Sequence, residues 1–245
     1  DGTPSTTGSD RRAASEDASS QLSVCVDYIT RTAEKLGIHA TRPLWLPQLP
    51  RTLALEELEE RFEVDYERGT AAVVGLVDEP EKQAQYPLVI YIEKLNNLIV
   101  AGSAGCGKTT FLQTLTLSLI TRYTPEQVEI YCMDFSSGTL RPFEKAPQVG
   151  GVVLSDEAEK TRRLFRMLEE ALTERKELFS KAGVGNFEEY RKINDDLPLL
   201  VWIIDNYFGF AEIYGDLEES FQKLTRDGVK YGLQTIITCN HLNDA

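Results

Sequence analysis

The chain has little from which to build metal or redox chemistry. Its 245 residues include four cysteines and two histidines. Cys25, Cys106, Cys132 and Cys239 are scattered without a CxxC pair, and His39 and His241 stand far apart, so neither a zinc signature nor a disulfide framework is visible. That usage fits a reducing, cytosolic setting. No stretch approaches the ~18 apolar residues that a membrane span requires, and no positively charged segment leads into an apolar signal core; the expectation is a soluble piece, whatever its parent. Positive charge is also scarce. The 26 lysines and arginines stand against 39 aspartates and glutamates, and the formal charge of -13 argues against a strongly basic nucleic-acid surface. What is present, at 42% hydrophobic residues, suffices for one substantial core with a smaller appendage.

Residues 1–20 are small and polar and read as a flexible lead-in. Residues 21–86 read as an N-terminal extension and strap. Within them Leu22, Val26, Ile29, Ala33 and Leu36 recur at helical spacing before a stop at Gly37. The three prolines of TRPLWLPQLP, 41–50, exclude an ordinary helix or central strand and leave an extended strap laid across the core, which covers Trp45, with an exposed recognition peptide as the alternative. TAAVVGLV, 70–77, and PLVIYIE, 87–93, predict strands of a peripheral sheet. Residues 87–245 are assigned to the core. From residue 98 the order is LIVAG as a strand, GSAGCGKT as a turn, and TFLQTLTLSLI as a helix ending near Arg122. VEIYCMD forms a second strand, followed by a long helix capped by Asp156 and Glu159, with Leu164, Leu168, Leu172 and Phe179 at helical intervals and an end near Gly183. PLLVWIID and LQTIITCN add two more strands. Strands alternating with long helices predict an α/β fold with a mainly parallel sheet covered by helices. The stop at HLNDA, soon after a fourth core strand, fits either a core truncated at its C-terminus or a tight boundary.

Gly102, Ser103, Ala104, Gly105, Cys106, Gly107, Lys108 and Thr109 spell G-x-x-x-x-G-K-[ST] between a strand and a helix. In that setting Gly102 and Gly107 permit a tight path along which peptide N–H groups converge on phosphate oxygens. Lys108 reaches the terminal phosphates of ATP, and Thr109 offers its hydroxyl to Mg2+. Asp205 closes an apolar strand, where a carboxylate serves the metal shell; the plainer alternative is a turn cap. Next to it stands Asn206, and an amide cannot accept a proton as a carboxylate does, although it can orient water. Asn240 either senses a terminal phosphate or caps a turn, and Asp134 either faces the same crevice or caps backbone. Arg162, Arg163 and Arg175 read as partners in solvated salt bridges. Cys106 is not required by the motif.

WLPQLP, GLVDEPEKQAQ, GSAGCGKTTFLQTL, YCMDFSSGTLRPFEKAPQVGGVV and VWIIDNYFGF, taken in that order, resemble the FtsK/SpoIIIE-type ATPase domains of the EssC/EccC family of type VII secretion proteins, most of all the middle of three tandem domains. The resemblance implies a RecA-like core within a membrane-anchored cytoplasmic motor that exports WXG-type proteins. It carries the family's nucleotide positions onto Gly102 through Thr109 and the strand-terminal aspartate onto Asp205. Asn206 departs from the glutamate of the active domains. The expected partners are neighbouring ATPase domains of the same polypeptide, membrane components of the secretion system and WXG-type substrates, without stable nucleic-acid binding. The leading reading is a regulatory magnesium–ATP-binding module with weak or no independent hydrolysis. Its rivals are an autonomous ATP hydrolase, a DNA-translocating motor domain, and an interaction scaffold with a vestigial nucleotide site.

Overall fold

The computed structural model describes residues 21–39, 41 and 45–241; the lead-in expected over 1–20 lies outside the described residues. Contacts divide the chain into two units after Leu46. The first holds helix α1, Gln21–Lys35, which ends before Gly37 at φ 67° as the apolar spacing predicts, and none of its residues is buried. Trp45, expected to be covered, is 79% exposed.

The second unit opens with α2, Leu55–Arg61, then β1, Ala71–Glu79, and β2, Ala84–Tyr91, which pair as an antiparallel hairpin with a bulge between Val73 and Gly75. A short α3, Ile92–Leu95, leads into the core. There follow β3, Leu98–Ala101; α4, Lys108–Arg122; β4, Val128–Asp134; β5, Val149–Leu154; α5, Ala158–Ala182; α6, Phe187–Arg191; β6, Leu199–Asp205; α7, Tyr207–Ile213; α8, Glu218–Gly228; and β7, Leu233–Cys239. The core sheet runs β3-β7-β6-β4-β5 with every pairing parallel. All seven residues of β6 and of β7 are buried, which is why both strands read as unbroken apolar runs.

Each face has its own core. On one, Leu112, Leu115 and Leu119 of α4 pack against Ile130, Val201 and Ile203. On the other, Leu164, Phe165 and Leu168 of α5 meet Trp202, Phe210 and Phe221. The hairpin is fastened to α4 by polar contacts set within the apolar surface. The amide of Val73 donates to Ser118 Oγ at 2.8 Å, and that of Ala71 to the Tyr123 hydroxyl at 2.8 Å.

Three expectations are corrected here. The core sheet has a fifth strand, β5, where the sequence had suggested four. The N-cap of α5 falls on Glu157 rather than Asp156 or Glu159, and the Glu157 carboxylate turns back to accept the amide of Leu154 at 3.0 Å. Arg175 is not solvated. It is 5% exposed and donates to the carbonyls of Tyr231 at 2.8 Å, Gly232 at 3.2 Å and Pro198 at 2.6 Å, stitching α5 to the amino ends of β6 and β7. Burial pulls its guanidinium down to about 10, against the opposing pull of Glu129 and Tyr131. Sheet, helical layers and strand order together form the RecA-like P-loop NTPase architecture.

Candidate nucleotide-binding site

The loop from Gly102 to Gly107 leaves the carboxyl end of β3 and runs into α4. Its turns are made by Gly105 at φ 77° and Gly107 at φ 93°, a region where a side chain is strained. Gly102 does a different job from the one its sequence position suggested. Its backbone is ordinary, but a Cβ there would lie 2.6 Å from Cys106 Sγ, so the missing side chain makes room for the cysteine. The amide of Gly102 donates to the Cys239 carbonyl at 3.2 Å, tying the loop to the end of β7.

Gly107 is the N-cap of α4 and supplies no side-chain acceptor, nor is there an acidic residue in the first turn of this 15-residue helix. Its first amides therefore face the loop without a protein side chain to satisfy them, an arrangement that favours an anion. Lys108 begins the helix and curls over the loop. Its ammonium donates to the carbonyls of Gly102 at 2.6 Å and Ser103 at 3.0 Å, and to Asn240 Oδ1 at 3.2 Å. Asn240, beyond the end of β7, is thus brought to the lysine.

Thr109 Oγ1 donates to Asp205 Oδ2 at 2.7 Å, joining the second residue of α4 to the end of β6. The other carboxylate oxygen accepts from Thr238 Oγ1 at 2.6 Å. Thr238 in turn accepts the backbone N–H of Asn206 at 2.7 Å. Thr109, Asp205, Thr238 and Asn206 therefore form one chain of hydrogen bonds across the carboxyl ends of β6 and β7. One carboxylate and one hydroxyl suit a hard cation that keeps its remaining ligands as water and phosphate. Among the described residues there is no group of three or more His, Cys, Asp or Glu side chains placed to hold a metal without such help.

Asn206 is held in the left-handed region, φ 68° and ψ 71°, at the N-cap of α7. Its amide nitrogen donates to the Phe135 carbonyl at 3.0 Å and its oxygen accepts the N–H of Gly209 at 3.4 Å. Asparagine tolerates this conformation, whereas a longer acidic side chain does not favour it. Asp134 takes the capping alternative. One oxygen accepts the amides of Ser136 at 3.0 Å and Ser137 at 3.1 Å, and the other accepts Leu140 N at 3.0 Å. Arg162 lies away from this cluster and pairs with Asp216 at 2.6 Å, both side chains being half exposed. Thr238 is the site residue that sequence reasoning passed over; its signal was a hydroxyl two places before Asn240 in a strand neighbouring β6.

A family model described as the FtsK/SpoIIIE family matches residues 57–238. The chain belongs to the FtsK/SpoIIIE family. Its relatives include proteins of type VII secretion systems. It is 31% identical over 225 residues to the type VII secretion system protein EssC of Staphylococcus aureus strain MRSA252, covering 89% of this chain and 15% of that protein. It is similar in structure to the cytoplasmic domain of the Thermomonospora curvata type VII secretion ATPase EccC, with a TM-score of 0.76 and 27% identity over 95% of this chain and 29% of that one. A second solved structure holds ATPases 2 and 3 of the same EccC in complex with a signal sequence peptide, at a TM-score of 0.67 and 31% identity, covering 71% of this chain and 33% of that one. This FtsK/SpoIIIE chain therefore spans about 15% of the length of the curated relatives it matches. No helix among its described residues is long and apolar enough to cross a membrane.

Proposed function

We propose that this FtsK/SpoIIIE domain binds magnesium–ATP as a regulatory module of a membrane-anchored type VII secretion motor, with weak or no hydrolysis of its own. The observation that carries the reading is the 2.7 Å contact between the Thr109 hydroxyl and the Asp205 carboxylate, set beside a helix N-terminus that no side chain caps. Lys108 and the first amides of α4 would hold the phosphates, and Thr109 with Asp205 would hold the magnesium shell. Bound magnesium supplies charge neutralisation at the phosphates. Lys108 already donates to three acceptors, so a phosphate oxygen would replace carbonyl and amide oxygens at an ammonium that is already desolvated on one side.

Weak hydrolysis follows from Asn206. An amide cannot take a proton from water, and both ends of this one are engaged by Phe135 and Gly209. General-base catalysis contributes about 100- to 10,000-fold, so a domain without it is expected to cut nucleotide correspondingly more slowly. In this proposal the domain lies on the cytoplasmic side of a cell membrane in which its parent protein is anchored. The domain's partners are neighbouring ATPase domains of the same polypeptide, secretion-system membrane components and WXG-type substrates, and stable nucleic-acid binding is not expected.

Titration with ATP in the presence and absence of magnesium, followed by single-turnover hydrolysis, tests the reading. ATP is expected to bind in a magnesium-dependent way and to turn over slowly. Asn206→Asp, which tolerates the left-handed backbone, and Asn206→Glu, which meets a conformational cost of about 1–3 kcal/mol, are expected to raise the rate if a missing base limits it. A fast native rate would reject the regulatory role, and absence of magnesium-dependent ATP binding would reject the nucleotide reading altogether.

A further inference from the structure

At the amino ends of the same parallel strands, opposite the phosphate loop, lies a cleft of about 810 Å³. It is lined by the segment before β1, by α3, by the last turn of α4 and the residues after it, by α6 and by the segment before β7. Six cations line it: Arg68, Lys94, Arg122, Arg191, Lys192 and Lys230. Only Glu67, Glu93 and Glu188 oppose them, in a chain whose overall charge is -13. Two of these carboxylates are already occupied. Glu93 accepts from Arg191 at 2.8 Å and from Thr70 Oγ1 at 2.6 Å, and Glu188 pairs with Lys192 at 3.1 Å.

The other four cations rest on aromatic faces. Arg122 sits 4.1 Å from the centre of the Tyr66 ring, Arg68 and Lys94 lie 5.2 and 5.8 Å from Tyr91, and Lys230 is 5.7 Å from Tyr231. Such contacts hold a cation in place without neutralising it. The cleft therefore holds more cations than carboxylates on an acidic molecule, and its Arg122 side adjoins an acidic group, Glu56, Glu59, Glu60, Glu63 and Asp65.

A second observation comes from the cleft wall. Gln234, the second residue of β7, lines the cleft and is 3% exposed, yet its Oε1 has no hydrogen-bond partner. Strand alternation puts it on the face of Ile236, which packs with α4. A buried acceptor left unmatched is costly, and what it lacks is a donor. A simple anion would satisfy the cations but not this oxygen.

We propose that the cleft binds an acidic peptide segment, its carboxylates meeting Arg68, Lys94, Arg122 and Lys230 and a backbone N–H meeting Gln234. A peptide carries both groups on one ligand. The cations come from separate elements around the opening, with only Arg68 and Lys94 sharing one ring, Tyr91, and this spread suits spaced carboxylates. A nucleotide base finds little to stack on, because Arg122 covers Tyr66 and Arg191 lies 5.7 Å over Phe187. The cleft is separate from the nucleotide site and its occupancy does not rest on the ATP reading.

Fluorescence anisotropy of the full chain with a labelled octapeptide of alternating glutamate and glycine tests the proposal. Binding should weaken with salt, and the doubly reversed Lys94→Glu, Lys230→Glu chain should bind roughly tenfold or more weakly. Both lysines are exposed, so circular dichroism and Tm should match the native chain. Gln234→Leu should lower affinity severalfold while leaving Tm unchanged or raised, since it removes an unmatched acceptor. The proposal is overturned by any of four results: no binding, equal binding of a lysine–glycine octapeptide, affinity indifferent to the three substitutions, or displacement of the peptide by inorganic phosphate or a DNA oligonucleotide at lower concentration than by unlabelled peptide.

Discussion

Asp134 and Asp205 end adjacent parallel strands at paired positions of the register, and both are buried, at 2% and 1% exposure. Their employment differs completely. Asp134 accepts three backbone amides from the loop that follows its own strand. Asp205 accepts two hydroxyls, one from α4 and one from β7. Backbone amides have no other acceptor once the loop has closed, whereas a threonine hydroxyl can turn from a carboxylate to a metal with little rearrangement. A buried carboxylate at a strand end is thus a structural fastening or a ligand site according to what its donors are able to give up.

The contrast is broken most severely at Asp134. Asp134→Ala strands three amides and should cost about 3 kcal/mol, read as a fall in Tm of roughly 6–12 °C, with nucleotide affinity lost only in so far as the fold is lost. Lys108→Ala is expected to leave Tm nearly unchanged and to weaken ATP about 10- to 100-fold in a binding titration, the worth of a charge-assisted contact to phosphate; unchanged affinity would remove the lysine from the site. The smallest effect belongs to Asp205→Asn. It should shift Tm by little, because an amide still meets both hydroxyls, and should reduce the magnesium-dependent part of ATP affinity by about tenfold while sparing binding measured with EDTA. If Asp205→Asn instead lowers Tm as far as Asp134→Ala is expected to, the two aspartates share one role and the distinction falls.

The loop from Gly102 to Thr109, the strand ending in Asp205 and the alternation of strands and helices were legible because each follows from local pattern. What escaped depends on contacts between distant residues. β5 was hidden by Gly150 and Gly151, which weaken a strand pattern; a Cβ at Gly150 would stand 2.3 Å from the ring of Tyr131 on β4, so the glycine lets two strands lie against an aromatic side chain. Arg175 occupies the place in the apolar stripe of α5 between Leu172 and Phe179, and that position was the available sign of its burial. The left-handed backbone of Asn206 could not be read at all, since it is set by Phe135, Gly209 and Thr238 closing around it. Sequence raised the question of the missing carboxylate, and tertiary structure gives it a second meaning: the same residue that withholds a base also fits the turn.

One feature of the sheet bears on how the phosphate loop responds to its surroundings. The strand that delivers it, β3, is four residues long, lies outermost, and is braced by β7 alone among the described strands, with Ile99 46% exposed. It is a cantilever, clamped along one side and loaded at its tip. Whatever chain is laid along its open edge would stiffen the beam, and the grip on phosphate would tighten or slacken with that neighbour's arrival and departure.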